Sequence, residues 1–230
     1  MRENGLDDLT LVTLRQAAYV ILCAHLGLFV AAIVASGVVG VRTPPSFVPV
    51  LCSSLGFWGV GVAGARMHVP WSELWRRLFP TPKAMEVARA VLCGLGLQLA
   101  LPLLYWPIHQ VLGTSNEDLE TPALALVDSA RHDQLIWALV VMVCVGAPLV
   151  EELLYRGLLL GALAKYGTPV AVLLSAGVFA AAHLQPLQLF GLFVFGCLVG
   201  AIRCRSSSLW VCIAAHAAFN ATTMVQLLFR

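Results

Sequence analysis

The chain has 230 residues, of which 60% are hydrophobic and only 11% are charged. Soluble domains average about 25% charged residues, so this composition excludes an ordinary soluble enzyme and indicates a polytopic helical protein embedded in the lipid bilayer. The formal net charge of +2 is too small to indicate nucleic acid as a partner.

Seven apolar segments follow one another along the chain and define its architecture. They cover about 17–41, 47–65, 88–112, 135–165, 168–184, 187–203 and 209–229. Runs of this length and composition are typical of transmembrane helices. The sequence therefore predicts an all-α membrane bundle of about seven transmembrane helices, with the first segment ending at Arg42 and Pro44.

The segments that connect these helices differ in character. Between the second and third helices, Trp71, Leu74, Trp75 and Leu78 recur at helical spacing within a basic connector. This pattern predicts an amphipathic helix lying on the membrane surface. Prolines at 102 and 107 predict that the third helix is kinked or ends early, and the acidic segment 113–134 is predicted to be a loop.

Most lysines and arginines outside the helices fall on one side of the predicted membrane, the side of the connector 66–89. The positive-inside rule therefore predicts a cytoplasmic N-terminus. The predicted location is the cell (inner) membrane of a bacterium or archaeon.

One charged cluster interrupts the fourth apolar segment, just after Pro148. Glu151 and Glu152 are adjacent carboxylates, and Arg156 follows Glu152 by four residues, which places that pair on one helix face. A charge within hydrocarbon costs roughly 2.5–3.5 kcal/mol on insertion scales, so such groups are usually functional. Glu151 is left without a local partner.

Three more polar residues occur in the later apolar segments. His183 ends the run that begins at Phe179, and His216 and Asn220 lie four residues apart on one face of the last helix. Any one of them alone is typical of a hydrogen bond between helices. Together with the charged cluster, they make up more polar side chains than the packing of apolar helices requires.

These residues have the chemistry needed for hydrolysis of an amide. Glu151 can act as a general base and His183 can share the same water, while His216 and Asn220 can stabilise an oxyanion. A zinc hydrolase is the nearest alternative, but the sequence has no HExxH motif, and its seven cysteines form no CxxC pair. The prediction is an enzyme without a metal or other cofactor.

Three motifs in this order resemble those of the CPBP family, which includes the CAAX prenyl endopeptidases and bacteriocin-processing or self-immunity proteins. They are Glu151-Glu152-xxx-Arg156, Phe179-xxx-His183 and His216-xxx-Asn220. The resemblance implies a glutamic intramembrane protease with Glu151, His183, His216 and Asn220 as catalytic residues. Glu152, Arg156 and Phe179 would support them. It also divides the chain into scaffold helices (1–134) and a catalytic core (135–230).

The implied substrate is a membrane-anchored protein or peptide, cut near its C-terminus or its membrane anchor. His183 is expected toward the outer half of the membrane, which suits the sorting signals cut by the myxosortase branch of the family. Two other functions remain open on the sequence. One is a non-catalytic immunity or interaction protein built on the same scaffold, and the other is a proton-coupled transporter.

Overall fold

The computed structural model describes residues 9–40 and 45–229, and in these ranges the chain forms nine helices and no β-strand. The helices are α1 (Leu14–Val39), α2 (Val48–His68), α3 (Trp71–Leu78), α4 (Ala84–Leu112), α5 (Asn116–His132), α6 (Ile136–Tyr166), α7 (Thr168–Ala182), α8 (Leu189–Arg203) and α9 (Leu209–Leu228). The all-α membrane bundle predicted from the sequence is confirmed. The predicted end of the first helix at Arg42 and Pro44 lies outside the described residues.

Six of these helices are long and apolar enough to cross a membrane: α1, α2, α4, α6, α8 with its preceding turn, and α9. The fifth predicted segment, about 168–184, forms α7, which is apolar but has only 15 residues. At 1.5 Å per residue it is about 22 Å long, which is short of a hydrocarbon core of roughly 30 Å. The C-terminal end of α7 is therefore placed within the thickness of the bundle.

Helix α6 lies at the centre, with the other helices packed around it largely in pairs. The pairs are α1 with α2, α4 with α9, and α7 with α8. In two of these pairs, glycines allow the helices to pack closely. At Gly94 of α4 a Cβ would lie only 2.0 Å from the Ala215 carbonyl oxygen of α9, so the contact needs a residue without a side chain. A Cβ at Gly196 would lie 2.9 Å from that of Ala176 on α7. The close packing holds α9 and α8 in fixed positions against their partners.

The predicted amphipathic helix in the basic connector is α3. Leu74 and Leu78 are buried in the main hydrophobic core, whereas half of the surface of Trp71 and of Trp75 is exposed. Trp75 also stacks on Phe79, and both rings contact Trp210 at the start of α9. The helix thus has one face on the protein and an aromatic edge that suits the membrane interface.

The segment 113–134 was predicted to be a loop, and that prediction is wrong, since most of it is α5. Ser115 caps this helix, with its side chain and that of Asp118 forming a reciprocal capping box. Val127 and Ala130 are buried against Phe47 and Leu139 in a second hydrophobic cluster. The cap and this buried face stabilise the helix despite its internal Pro122.

Helix α4 was predicted to be kinked or to end early, and it does not end early. The helix runs through Pro102 and Pro107 to Leu112, where Gly113 adopts a left-handed φ of 65°. Each proline removes one backbone donor, but the surrounding turns keep theirs, and α4 packs along α9.

Helices α3 and α5 mark opposite ends of the bundle. Trp210 at the start of α9 contacts the α3 end, whereas Arg131 of α5 donates a hydrogen bond to the carbonyl of Leu228 at the end of α9. Helix α4 runs from the first end to the second.

Candidate active site

The backbone of α6 is irregular on both sides of the glutamate pair. π-Helical turns span Met142–Gly146 and Leu153–Leu159, and the α-helical turns between them run from Ala147 to Glu152. Such π-bulges inside α-helices are rare and occur frequently at functional sites.

Pro148 explains the first of these bulges. It has no N–H to donate to the carbonyl four residues before it, and its ring crowds that carbonyl. The N–H of Ala147 bonds to the Met142 carbonyl, five residues back, instead of to that of Val143. The Val143 carbonyl thus loses its regular partner, and it accepts a hydrogen bond of 2.8 Å from the side-chain amide of Asn220.

Glu152, Arg156 and His216 form a buried cluster on the inner face of α6. The Glu152 carboxylate oxygen Oε1 lies 3.1 Å from an Arg156 guanidinium nitrogen and 2.8 Å from Nδ1 of His216. The side chains of Glu152 and Arg156 have no exposed surface. The i,i+4 pair predicted from the sequence is present, and it also holds the imidazole of α9.

Glu151 occupies a different environment from its neighbour. Its Oε2 lies 4.0 Å from Nε2 of His183 and 4.0 Å from Nε2 of His216. Both separations are too long for a direct hydrogen bond, yet one water can lie about 2.8 Å from each of two atoms this far apart. The side chain of Glu151 remains 17% exposed, so this gap is open to a cavity.

His183 is oriented by the backbone of its own helix. Its Nδ1 lies 2.8 Å from the Phe179 carbonyl oxygen. The chain then turns sharply at Leu184, whose φ of 53° is in the left-handed region. A non-glycine residue there costs free energy of order 1–3 kcal/mol, and such strain concentrates at functional sites.

Phe179 packs against the charged side chains of the cluster. Its ring lies 4.4 Å from the guanidinium carbon of Arg156 and 4.7 Å from the centre of the His183 ring. The guanidinium also donates a long hydrogen bond of 3.4 Å to the Gly196 carbonyl of α8. A cation–π contact of this kind stabilises a buried guanidinium that has few hydrogen-bond partners.

A cavity of about 510 Å³ begins at Glu151 and extends toward the α5 end of the bundle. His183, His216 and Asn220 line it together with Glu151, so it brings together all four residues predicted to be catalytic. Its far walls include Leu119 and Glu120 of α5 and Gln226 near the end of α9. The volume falls in the range of about 300–1,000 Å³ that is typical of ligand-binding pockets.

Two groups in this site were missed by the sequence analysis. The Val143 carbonyl became a partner of Asn220 only through the π-bulge, and Pro148 was the one signal that pointed to it. The side chains of Gln98 and Gln185 also line the cavity, and their Oε1 atoms are buried without a hydrogen-bond partner in the described part of the chain. Isolated glutamines carry no sequence signature.

In residues 9–40 and 45–229, no group of three or more His, Cys, Asp or Glu side chains has the arrangement of a metal site. Each of the two imidazoles beside Glu151 has its Nδ1 engaged in a hydrogen bond, with the Phe179 carbonyl for His183 and with Glu152 for His216.

Comparison with known proteins gives one match, to the later part of the chain. Residues 133–222 match the model of the type II CAAX prenyl endopeptidase Rce1-like family, which confirms the resemblance seen in the three motifs. Neither the curated proteins nor the solved structures give a match. The chain is therefore an integral membrane protein whose residues 133–222 are similar to the CAAX-type intramembrane proteases.

Proposed function

We propose that this protein is an intramembrane endopeptidase in which Glu151 activates water for attack on a peptide bond, without a metal ion. The observation that carries this proposal is the open gap at Glu151. Its Oε2 lies 4.0 Å from Nε2 of His183 and of His216, at the inner end of the 510 Å³ cavity.

The protonation of His183 follows from its hydrogen bond. A carbonyl oxygen can only accept, so Nδ1 of His183 must carry the proton that it donates to Phe179. In the neutral ring Nε2 is then an acceptor that faces Glu151. A water in the gap donates one hydrogen bond to Glu151 and the other to His183, which leaves its lone pair free for attack.

His183 accepts a hydrogen bond from the water, whereas His216 is suited to donating one to the oxyanion. With Nδ1 donating to Glu152, its Nε2 becomes a donor only when the ring is protonated. Nε2–H of the imidazolium faces the reaction centre and stabilises an oxyanion.

Asn220 provides the second donor for the oxyanion. Its amide nitrogen has two hydrogens, and one of them bonds to the Val143 carbonyl. This bond holds the amide plane in place. It can form because the Val143 carbonyl has no regular helical partner. The other hydrogen is available to the cavity that Asn220 lines.

The proposed reaction proceeds in two steps. The water oxygen bonds to the scissile carbonyl carbon while a water proton passes to Glu151, and the carbonyl oxygen becomes an oxyanion held by His216 and Asn220. The carbon–nitrogen bond then breaks, and the proton held by Glu151 passes to the leaving amine. The products are a new carboxyl terminus and a free amine.

The substrate proposed for this site is a membrane-anchored protein or peptide. The cavity lies within the bundle, and no Lys or Arg is among the described residues that line it. It therefore offers a free C-terminal carboxylate no lysine or arginine, and the His216 imidazolium is used for the oxyanion, which favours cleavage within a chain over removal of terminal residues. With a cytoplasmic N-terminus, the cavity would extend toward the outer face of a bacterial or archaeal membrane.

The test uses purified protein in lipid vesicles with two peptide substrates of different anchors. One peptide carries a C-terminal prenyl group, and the other carries a C-terminal apolar helix preceded by a short polar segment. We expect cleavage of one or both at a single bond, identified by product mass, with the same rate in the presence of a chelator. Loss of activity in the chelator, with recovery on addition of zinc, would contradict the metal-free mechanism.

A further inference from the structure

Glu151 lies on the wall between two cavities, the 510 Å³ cavity and a smaller one. A second cavity of about 230 Å³ lies on the other side, between the α1–α2 pair and the end of α7. Val143, Ala147, Glu151 and His183 line both cavities. The proposed base is thus reachable from two directions.

The second cavity differs from the first in size and lining. It has less than half the volume, too small for a membrane-anchored peptide, but with room for several water molecules at roughly 30 Å³ each. Polar side chains from three helices line it: His25 on α1, Ser54 on α2 and Tyr155 on α6. A cavity lined by polar groups on several sides can hold water, whereas an apolar one stays dry.

The orientation of His25 also favours water in the second cavity. Its Nδ1 bonds to the Ile21 carbonyl at 2.8 Å, so that nitrogen carries the proton and Nε2 of the neutral ring is an acceptor. The ring packs edge-on against Phe57, which also lines the cavity. No Lys or Arg is among the described residues that line this space.

An intramembrane hydrolase has to supply water to a base that its substrate covers. A peptide bound in the 510 Å³ cavity displaces water from that side of Glu151, and each turnover consumes one water molecule. We propose that the second cavity is the water site that supplies Glu151 while substrate occupies the first. This inference rests on the proposed hydrolysis for its role, but not for the presence of water.

The chain provides a matched pair of residues for the test. Ser53 and Ser54 are adjacent on α2, and both hydroxyls donate to the Val50 carbonyl, at 2.7 and 3.1 Å. Ser54 lines the second cavity and Ser53 lines neither. Since neighbouring helical residues differ by about 1.5 Å along the axis, the two positions lie at nearly the same membrane depth.

The first experiment measures water access without any substrate. Ser54→Cys and Ser53→Cys proteins in lipid vesicles are treated with a small, permanently charged methanethiosulfonate, and peptide mass spectrometry follows the label at each position. Thiols react as thiolates, which form only where water is present. We expect faster labelling of Ser54→Cys, and equal or slower labelling than Ser53→Cys would overturn the proposal.

The second experiment fills the cavity and measures turnover. In Ser54→Leu we expect kcat to fall by about tenfold with KM changed by less than about twofold, because substrate binding is on the other side of Glu151. Ser53→Leu should match the wild type. An unchanged kcat in Ser54→Leu would overturn the supply role. If Glu151→Gln still cleaves while Ser54→Cys labels rapidly, the hydrolytic mechanism fails and the water site stands.

Discussion

Glu151 and Glu152 are neighbours in the chain, but their side chains have different partners and different exposure. Glu152 is fully buried, with Arg156 at 3.1 Å and His216 at 2.8 Å, whereas no basic group comes closer to Glu151 than 4.0 Å in the described chain. We therefore expect Glu152 to act on stability and Glu151 to act on catalysis.

Replacing Glu152 with Ala should lower the free energy of unfolding by about 3–5 kcal/mol, since it leaves the Arg156 guanidinium buried without its carboxylate. Replacing Glu151 with Ala should lower it far less and abolish cleavage instead. Unfolding of both variants in the same detergent, followed by circular dichroism, separates the two effects. Equal losses of stability would contradict this division of roles.

Asn220 allows a second prediction about a single side chain. Asn220→Ala removes the donor to the Val143 carbonyl and the proposed oxyanion donor, so kcat should fall by about 10²–10³-fold, as for other donors of this kind. Thr222→Ala is the control, because its hydroxyl bonds only to the Ala218 carbonyl of its own helix. A similar loss in both variants would mean that any truncation on α9 has this effect.

Among the elements, α6 and α9 determine the geometry of the site. Glu151 and Glu152 are on α6, His216 and Asn220 are on α9, and the position of α9 depends on its contact with α4. Gly94 makes that contact, since a Cβ there would lie 2.0 Å from a backbone oxygen of α9. The backbone of one helix must move if Gly94 acquires a side chain.

Gly94→Ala should therefore destabilise the protein by about 1–3 kcal/mol, the usual cost of overpacking, and lower kcat by shifting His216 and Asn220. Gly96→Ala, on the same helix with nothing within 4 Å of its Cβ, should leave both unchanged. Thermal unfolding and initial cleavage rates measured on both variants test this. Indistinguishable behaviour of the two variants would show that the contact is not needed.

The elements also show which parts of the molecule could be predicted from sequence. Long apolar runs predicted the membrane helices, and the spacing of Trp71, Leu74 and Leu78 predicted α3, because composition and periodicity directly reflect burial. Helix α5 was missed because its stability depends on the Ser115 cap and on distant partners such as Phe47. The first π-bulge was missed for a related reason, since it depends on how Pro148 is accommodated against α9.

In the candidate site, too, composition predicted the residues but not the contacts between distant parts of the chain. Charged and polar residues in an apolar chain identified Glu151, Glu152, Arg156, His183, His216 and Asn220, and the structure brings them into one cluster. Their roles remain predictions. The bond between Glu152 and His216 could not be foreseen, because it joins residues 64 positions apart on different helices. The two cavities have no sequence signal, since each is lined by residues from several helices.

At the scale of the whole molecule, the two ends of the bundle are chemically different. The α3 end carries the basic connector, and the α5 end is acidic and closes one end of the large cavity. From the positive-inside rule we expect the α3 end to lie in the cytoplasm. The proposed site would then be reached from the outer side of the membrane.

Cysteine labelling in intact bacterial cells tests this orientation. Asp128 on α5 and Arg76 on α3 have equally exposed side chains, at 72% each. A membrane-impermeant thiol reagent should label Asp128→Cys in intact cells and Arg76→Cys only after permeabilisation, with the labelled peptide identified by mass spectrometry. The reverse pattern would place the N-terminus outside and the cavity toward the cytoplasm.

Whether Glu151 is the base can be decided by comparing the cleavage rates of two variants. Glu151→Gln keeps the size of the side chain but cannot accept a proton, so we expect cleavage to fall by about 10²–10⁴-fold, the usual contribution of a general base. The control is Glu117→Gln, which replaces an exposed carboxylate on α5 with a carboxamide. This variant should cleave at the wild-type rate. Cleavage by Glu151→Gln at the wild-type rate, in the same vesicles and with the same peptide, would contradict the mechanism.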